Sequence, residues 1–417
     1  MNPGPESVSP RPSASTPTSV RGTPPLWLLV MVTFSGTMAM HMFVPALPSA
    51  AIDLHATPAV VQMTISLYIF GLALGQLVYG PLADCFGRRP TLMAGLVIYT
   101  IASVVAALSH DVHLLIAARL AQALGGCAGL LIGRAVVRDT SNADDILRRL
   151  ALIGLMSMIG PGLAPFVGAT ISADFSWRFI FVLLGAMGLF NLVSVWRLLP
   201  ETGNPTRILN TRTVRSDYRS LLGSRRFVGF ALGGGCATTA FYAFIASAPF
   251  TWAHDLHRPP REVGLYLGLL VVGISVGNLF SNRIRRGVSA NRVMIGSAGL
   301  SVVCAFVLLA LVLMHVLSAP LIGTVMFVYS IGLGMCSPAA MAKSLNVNPR
   351  VTGSAAGLYG FTQMAVGAIC TSLTAIGTNL TVSAAVVMAV AGVLGLAAFA
   401  VGLADERKYH LLQQAPA

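Results

Sequence analysis

Residues 351–404 contain no aspartate, glutamate, lysine or arginine. So long an uncharged stretch cannot lie on the surface of a soluble protein. It can hold two helices that each cross a bilayer, because one crossing takes about 20 mostly apolar residues. A short turn near Thr378–Thr381 separates these two helices. Similar runs recur along the chain, and the sequence predicts twelve spans at roughly 26–48, 60–83, 90–108, 114–136, 150–172, 177–199, 227–251, 263–284, 292–315, 320–341, 353–377 and 382–404.

The composition agrees with an integral membrane protein. Of 417 residues, 55% are hydrophobic and only 10% are charged, whereas a soluble domain is about a quarter charged. The mean hydropathy is +0.77. These values exclude ordinary soluble enzymes, disordered proteins and extracellular disulfide scaffolds. The six cysteines are scattered without a C-x-x-C pair, which predicts small buried apolar residues and no metal site.

The longest polar interval between spans covers residues 200–226 and divides the spans into two sets of six. The sequence therefore predicts an all-α membrane protein of two six-helix bundles. The predicted segments are a disordered cytoplasmic tail at 1–24, an N-terminal bundle at 25–199, a cytoplasmic linker at 200–226, a C-terminal bundle at 227–404 and a cytoplasmic tail at 405–417. The first apolar run is too long and starts too late for a cleaved signal peptide.

The charges predict the orientation in the membrane. The net charge is +13, from 27 lysines and arginines against 14 acidic residues. With the N-terminus inside, 23 of these 27 basic residues lie on the inner side, three lie outside (Arg178, Arg258 and Arg261), and Arg119 lies within a span. Cytoplasmic segments favour lysine and arginine, so both termini are predicted to be cytoplasmic. The basic excess then reflects topology and not a nucleic-acid site.

The loop after the second span carries the most specific motif. Residues 80–90 have the sequence GPLADCFGRRP, which places a carboxylate at a helix end, then a glycine and two arginines. This segment resembles the G-x-L-A-D-x-x-G-R-R signature of the major facilitator superfamily. The resemblance implies a transporter of twelve helices, with a central binding site between its bundles and alternating access by rocking of one bundle on the other.

The same resemblance implies a gate on the cytoplasmic side. Asp84 is expected to interact with the N-terminal end of helix eleven near Thr352–Ser354, where free N–H groups favour an anion. The alternative for the two arginines is that they only set topology. The residues assigned to this cytoplasmic gate are Gly80, Asp84, Gly87, Arg88, Arg89 and Asp139.

An arginine lies within the fourth span. Arg119 and Gln122 are three residues apart and share a helix face. Their segment resembles the R-x-x-Q-G motif of the superfamily, with one residue inserted before the glycine, and the resemblance implies that Arg119 serves proton coupling. The alternative is an arginine whose side chain reaches the outer interface, because the helix starts near His113.

The fifth span contains two prolines four residues apart. Pro161 and Pro165 predict a kink in this helix, with Gly168 following. The segment resembles a degraded form of the G-P-x-x-G-G motif, in which alanine replaces two glycines. That motif is typical of exporters in the superfamily, and the departure weakens the inference.

The first span ends with HMFVPALP. This resembles the bicyclomycin/chloramphenicol-resistance (Bcr/CflA) subfamily of drug exporters, whose first helix ends D-M-Y-L-P-A-L-P. Here His41 occupies the aspartate position, and no aspartate or glutamate lies deep within any predicted span. Histidine titrates near pH 6.5 when unperturbed. We therefore hypothesise that His41 carries the coupling proton; the alternative is a neutral, hydrogen-bonded histidine that lines the cavity.

A transporter cavity is expected to be lined by aromatic, methionine and uncharged polar side chains. Without a carboxylate it favours neutral or anionic compounds. The candidate lining residues are Met40, Tyr68, Gln122, Phe241, Tyr242, Tyr329, Tyr359 and Gln363.

The sequence thus predicts a secondary transporter, not an enzyme, that exports small amphipathic compounds or drugs in exchange for protons across a bacterial inner membrane. Export of a native metabolite such as a sugar or nucleoside is the alternative. A membrane receptor is a third possibility, although the sequence has no sizeable sensor domain. No G-x-x-x-x-G-K-[ST] phosphate loop occurs. The expected partners are protons, a small-molecule substrate and the lipid bilayer, with no cofactor, metal or nucleic acid, and the chain is expected to be monomeric.

Overall fold

The computed structural model describes residues 24–141, 143–203, 211–284, 288–377 and 379–414. The regular elements in these ranges are all helices, and no β-strand occurs within them. The predicted all-α class is therefore confirmed. The tail predicted at 1–24 lies outside the described residues, apart from its last residue.

The first half of the chain forms one bundle of long helices. Its helices are α1 (Leu26–Met42), α2 (Leu47–Asp53), α3 (Pro58–Phe86), α4 (Arg88–Ala107), α5 (Val112–Thr140), α6 (Ala143–Asp174) and α7 (Trp177–Leu198). Short polar caps begin several of them. The Asp111 carboxylate, for example, accepts hydrogen bonds from the backbone N–H groups of His113 and Leu114, at 2.9 and 3.0 Å, and so satisfies free donors at the start of α5.

The second half repeats this architecture after a short connecting helix. The connecting helix is α8 (Thr211–Leu222), and the helices of the second bundle are α9 (Arg225–Thr239), α10 (Tyr242–Phe250), α11 (Pro260–Ile284), α12 (Ala290–Leu313), α13 (Ala319–Leu345), α14 (Thr352–Thr374) and α15 (Leu380–Gln414).

One span of each bundle is interrupted. In the first span, a 3-10 turn at Val44–Ala46 separates α1 from α2. Pro45 in this turn has no N–H to continue the α-helical ladder. In the seventh span α9 gives way to α10, which ends in a π-helical turn at Thr251–Asp255. When each interrupted pair is counted once, eleven helices of the described chain are long and apolar enough to cross a membrane, and α14 completes the twelve.

The two ends of the helices differ in charge. We call "basic end" the side where α3 turns into α4 at Gly87 and where α8 lies, and "far end" the side where α2 turns into α3. At the basic end, α15 continues to Gln414, beyond the span end predicted at 404. Its extra turns are held by Glu406, 2.8 Å from the Lys343 ammonium, and by Tyr409, whose ring lies 4.0 Å from the Arg226 guanidinium carbon. Part of the tail predicted at 405–417 is therefore helical.

The two bundles touch through α3 with α14 and through α6 with α11. At the far end, Gln62 of α3 donates a 2.8 Å hydrogen bond to Thr374 of α14. Asp174 and Arg261 form an ion pair nearby. A Cβ at Gly264 of α11 would lie 2.8 Å from the Pro165 carbonyl oxygen, so glycine allows the two helix backbones to approach closely.

Candidate functional site

A cavity of about 160 Å³ lies between the bundles, enclosed by α1 and α6 of the first bundle and α10 and α11 of the second. Of the residues predicted to carry function, it brings together His41, Pro161, Pro165, Phe241 and Tyr242. We call it the central cavity. Its complete lining is Thr37, His41, Val44, Pro161, Pro165, Phe241, Tyr242, Ile245, Leu267, Leu270, Val271 and Ile274.

His41 is the ionisable imidazole of this lining and is 7% exposed. Its Nδ1 lies 2.9 Å from the carbonyl oxygen of Thr37, one turn earlier in α1. A carbonyl can only accept, so this contact requires the hydrogen on Nδ1. In the neutral ring Nε2 then carries the lone pair. The backbone of α1 thus selects which nitrogen can take up a proton.

An aromatic pair faces the histidine from the second bundle. The rings of Phe241 and Tyr242 stack with centroids 4.4 Å apart and an interplanar angle of 29°. The Tyr242 ring centroid lies 6.4 Å from that of His41. These residues sit where α9 gives way to α10, so the interruption of the seventh span places two consecutive aromatic side chains beside one cavity.

The rest of the lining is mainly aliphatic and proline, and no carboxylate belongs to it. Leu267, Leu270, Val271 and Ile274 come from successive turns of α11. An apolar wall with a few placed polar groups is typical of small-molecule sites. The sequence does not indicate these aliphatic residues as site residues, because nothing in their type distinguishes them from leucines that face lipid.

Arg119 lies in the interior of the first bundle and is 0% exposed. Its Nη1 donates to the Ala39 carbonyl at 3.1 Å and to Gln122 Oε1 at 2.6 Å. The Gln122 amide in turn donates to the Ser103 hydroxyl at 2.8 Å. This burial overturns the alternative in which the arginine reaches the outer interface.

Aromatic rings enclose the same guanidinium. Its carbon lies 4.0 Å from the Tyr68 ring centroid and 5.5 and 5.6 Å from those of Phe43 and Phe181. The Tyr68 hydroxyl donates to the Gly36 carbonyl at 2.7 Å. Cation–π attraction is strongest where the cation is desolvated, so the rings replace part of the hydration that Arg119 lacks.

This arrangement places several of the predicted cavity residues away from the central cavity. Tyr68 and Gln122 belong to the surroundings of Arg119 and do not line the central cavity. Met40 is 2% exposed and lies in the same core. The physical reason is that α3 and α5 are buried on several sides, so their polar residues can point into the bundle and away from the cavity between bundles.

The three candidates from the tenth and eleventh spans, which are α13 and α14, also lie outside the central cavity. Tyr329 is 2% exposed and Tyr359 3% exposed, both within the second bundle. The Gln363 amide donates to the Thr238 hydroxyl at 2.6 Å and thereby joins α14 to α9. These side chains stabilise contacts between neighbouring helices of the second bundle.

At the basic end, Arg88 joins two carboxylates. Its Nη1 lies 2.8 Å from Asp84, and its Nε lies 3.0 Å from Asp139 at the end of α5. Gly87 precedes it with a φ of 95°, which an L side chain rarely adopts. Gly80, the first residue of the motif, has open space where a Cβ would be. The motif therefore forms a tight turn that ties α3 to α5 through one guanidinium.

Glu201, for which the sequence pattern predicts no role, completes this turn. Its carboxylate accepts from the backbone N–H groups of Arg88 at 2.8 Å and Arg89 at 3.2 Å, and from that of Gly203 at 2.8 Å. The Arg89 guanidinium donates to the Trp196 carbonyl at 2.5 Å. A carboxylate on free N–H groups at a helix start is favourable, so Glu201 caps α4 from a distant part of the chain.

The expected contact of Asp84 with the start of the eleventh span, which is α14, is absent from the described structure. Ser354 near the start of α14 donates instead to Asp217 of α8, at 3.0 Å. Asp84 pairs with Arg88. The connecting helix α8 lies against α14 and supplies the nearer carboxylate, which the sequence motif could not indicate.

Pro161 and Pro165 of the fifth span lie within one continuous helix, α6. Both line the central cavity. Gly168, one turn beyond Pro165, lies where a Cβ would overlap the Met42 carbonyl. The segment thus supplies two cavity residues and a close approach to α1.

Comparison with known proteins agrees with this architecture. The sequence model of the Major Facilitator Superfamily matches residues 29–371. An uncharacterized MFS-type transporter, YdgK of Bacillus subtilis, is 27% identical over 385 residues, covering 91% of this chain and 95% of the relative. A bicyclomycin resistance protein homolog of Haemophilus influenzae is 26% identical over 339 residues, covering 81% and 85%.

The fold also matches solved structures. The crystal structure of a D-xylose-proton symporter superposes with a TM-score of 0.72 at 13% identity, over 89% of this chain and 95% of the other. Twelve helices in two bundles and a family match over most of the chain confirm the predicted fold. The chain therefore belongs to the major facilitator superfamily and is a multi-pass membrane transporter, not an enzyme.

Proposed function

We propose that the protein exports small, neutral, amphipathic compounds, including drugs of the phenicol or bicyclomycin kind, in exchange for protons. The observation that carries this proposal is the lining of the central cavity: a mostly apolar wall, a stacked aromatic pair and one imidazole, with no carboxylate. Such a site offers contact area to an uncharged ligand and few hydrogen bonds. A sugar requires many hydrogen-bond partners, so this lining favours the drug-like class over the sugar alternative.

The bicyclomycin resistance relative supports the same class of substrate. We further propose that the basic end is cytoplasmic, with both termini on that side of a bacterial inner membrane, because cytoplasmic segments favour lysine and arginine. The contacts between the bundles at the far end, including the Asp174–Arg261 ion pair, then hold the outer side closed. Separation of these contacts opens the outward-facing state.

His41 is the proposed carrier of the proton. The Thr37 carbonyl holds the hydrogen on Nδ1, so Nε2 receives the proton when the cavity faces the outside. A charged imidazole in a small apolar cavity weakens binding of a neutral compound, because the apolar wall cannot solvate the charge. Proton uptake therefore accompanies release of substrate outside, and proton loss to the cytoplasm restores the site.

The experiment uses everted membrane vesicles that contain the wild-type protein, with chloramphenicol added to the cytoplasmic face and lumenal pH followed by a fluorescent dye. We expect drug-induced proton efflux from the acidified lumen. The His41→Ala protein is expected to lose this efflux. The matched control is His113→Ala, which removes an exposed histidine at the far end and leaves the efflux unchanged.

Two results would overturn the proposal. Proton efflux that persists at the wild-type rate in His41→Ala would remove the histidine from coupling. A wild-type protein that responds to the cation tetraphenylphosphonium and not to chloramphenicol would contradict the neutral substrate class.

A further inference from the structure

The connecting helix α8 has two faces of opposite character. Its inner face includes Leu221, which is 1% exposed and belongs to a cluster with Phe227 of α9 and Leu358 of α14. Leu77 of α3 packs against the same cluster. The inner face therefore lies where the two bundles meet at the basic end.

Polar contacts also fix this inner face. Asp217 accepts a 3.0 Å hydrogen bond from Ser354 at the start of α14. The neighbouring Tyr218 is half-buried, and burial together with the Asp217 carboxylate raises the pKa of its phenol. The orientation of α8 about its own axis is thus determined by Leu221, Asp217 and Tyr218.

That orientation places arginines on the opposite face. Arg212, Arg215 and Arg219 are exposed, and their spacing of three and four residues aligns them along one side of the helix. Leu222, next to Arg215 on this side by the helical repeat, is 57% exposed. We call these four residues the arginine face.

The arginine face has no ionic partner within the described part of the chain. Two nearby basic residues do have partners: Arg226 lies 3.7 Å from Asp405, and Lys343 lies 2.8 Å from Glu406. None of the ion pairs formed among the described residues includes Arg212, Arg215 or Arg219. Three aligned guanidinium groups without a carboxylate form a concentrated positive surface.

The position of this surface indicates its partner. α8 ends at Leu222 and the span that begins with α9 starts at Arg225, so the C-terminal end of the arginine face lies three residues before a membrane span. Guanidinium groups bind phosphate oxygens in bidentate fashion, and juxtamembrane arginines attract anionic lipids. We propose that the arginine face binds the phosphate headgroups of anionic phospholipids, with Leu222 contacting their acyl chains.

Because the inner face of α8 contacts the bundles, lipid binding to its outer face is expected to affect the stability of the protein. A lipid on the arginine face holds α8 against α14 and against the cluster that Leu77 joins, so it stabilises the present arrangement of the bundles at the basic end. Anionic lipid is therefore expected to raise the unfolding temperature of the whole protein.

The test uses the full-length protein in an uncharged detergent, titrated with short-chain phosphatidylglycerol while thermal unfolding is followed. We expect a saturable rise in the midpoint with phosphatidylglycerol and none with short-chain phosphatidylcholine. In the triple variant R212Q/R215Q/R219Q the apparent affinity for phosphatidylglycerol is expected to fall about fivefold per arginine, on the order of a hundredfold in all. A triple lysine variant, which keeps the charges, retains most of the affinity.

The matched control removes three exposed basic residues of the same end from three other helices, in the variant R138Q/R197Q/R292Q. This variant loses the same charge and is expected to bind phosphatidylglycerol like the wild type. An equal loss in the control would show that net charge, not the arginine face, attracts the lipid. Inorganic phosphate that reproduces the midpoint rise would overturn the lipid assignment, and no rise with phosphatidylglycerol would overturn the proposal itself. The test involves no transport, so its failure is separate from failure of the proposed function.

Discussion

The two bundles share an architecture and differ in what they bury. Among the described residues, the first bundle buries a guanidinium at Arg119 and an imidazole at His41, together with the amides of Gln62, Gln122 and Asn191. The buried polar side chains described in the second bundle are mainly hydroxyl groups of serine, threonine and tyrosine, together with the indole of Trp252. One half therefore contains groups that can bear charge, and the other contributes mostly aromatic and aliphatic wall to the central cavity.

The buried charge requires a polar network that the first bundle supplies. A buried ion is expensive unless it is paired or hydrogen-bonded, and the first bundle supplies a carbonyl, an amide and three rings to Arg119. Such a network fixes many side chains at once. The described polar contacts of the second bundle are mainly neutral hydrogen bonds, such as that of Gln363 with Thr238.

Truncation of the buried arginine is expected to have the largest effect. Arg119→Ala leaves a core void and removes the donor to Ala39 and Gln122, so the free energy of unfolding should fall by about 2–5 kcal/mol. Arg258→Ala at the exposed far end is the control, with an expected change of about 0.5 kcal/mol or less. Reversible unfolding in mixed micelles measures both. Equal losses of unfolding free energy in the two variants would show that the buried network around Arg119 adds no particular stability.

A glutamine in each bundle gives the second comparison. Gln122→Leu breaks a hydrogen bond to a charged group, which costs about 1.5–3 kcal/mol. Gln363→Leu breaks a neutral bond to Thr238 and should cost about 0.5–1.5 kcal/mol. The same unfolding measurement applies, and a larger loss in Gln363→Leu would reverse the ranking of the two bundles.

Removal of a single hydroxyl gives the smallest effect. The Tyr68 hydroxyl donates to the Gly36 carbonyl, so Tyr68→Phe should lower stability by about 1 kcal/mol. The buried Tyr359 hydroxyl has no hydrogen-bond partner among the described residues, so Tyr359→Phe should leave stability unchanged or slightly raise it. Thermal midpoints distinguish the two, and a loss in Tyr359→Phe would point to a partner of that hydroxyl.

Some of the site could be predicted from local sequence. His41, predicted from its place in the first span, and Phe241 and Tyr242, predicted as cavity residues, all line the central cavity. Pro161 and Pro165, predicted only as a kink of the fifth span, line it as well. Leu267 and Leu270 could not be identified. In the same helix Leu265 and Leu279 are 62% and 69% exposed on the bundle surface, and both surroundings are apolar, so residue type does not separate them.

Contacts between segments that are far apart in the chain could not be predicted from the sequence either. Glu201 caps α4, although its partner Arg88 lies in a much earlier part of the chain. Asp217 takes the Ser354 contact that the motif suggested for Asp84. Each pairing depends on how the loops and α8 pack against the bundles, which local sequence does not specify.

By itself the sequence determined the number of spans, the division into two bundles, the basic and far ends, and the presence of an arginine and a histidine inside the membrane. These follow from the length of apolar runs and from the cost of placing charge in lipid, which act along the chain. The tertiary structure decided which face of each helix meets the other bundle. It thereby assigned His41 to the cavity and enclosed Arg119 among Tyr68, Phe43 and Phe181, because in a helix that is apolar on all sides only packing against neighbours selects the direction of a side chain.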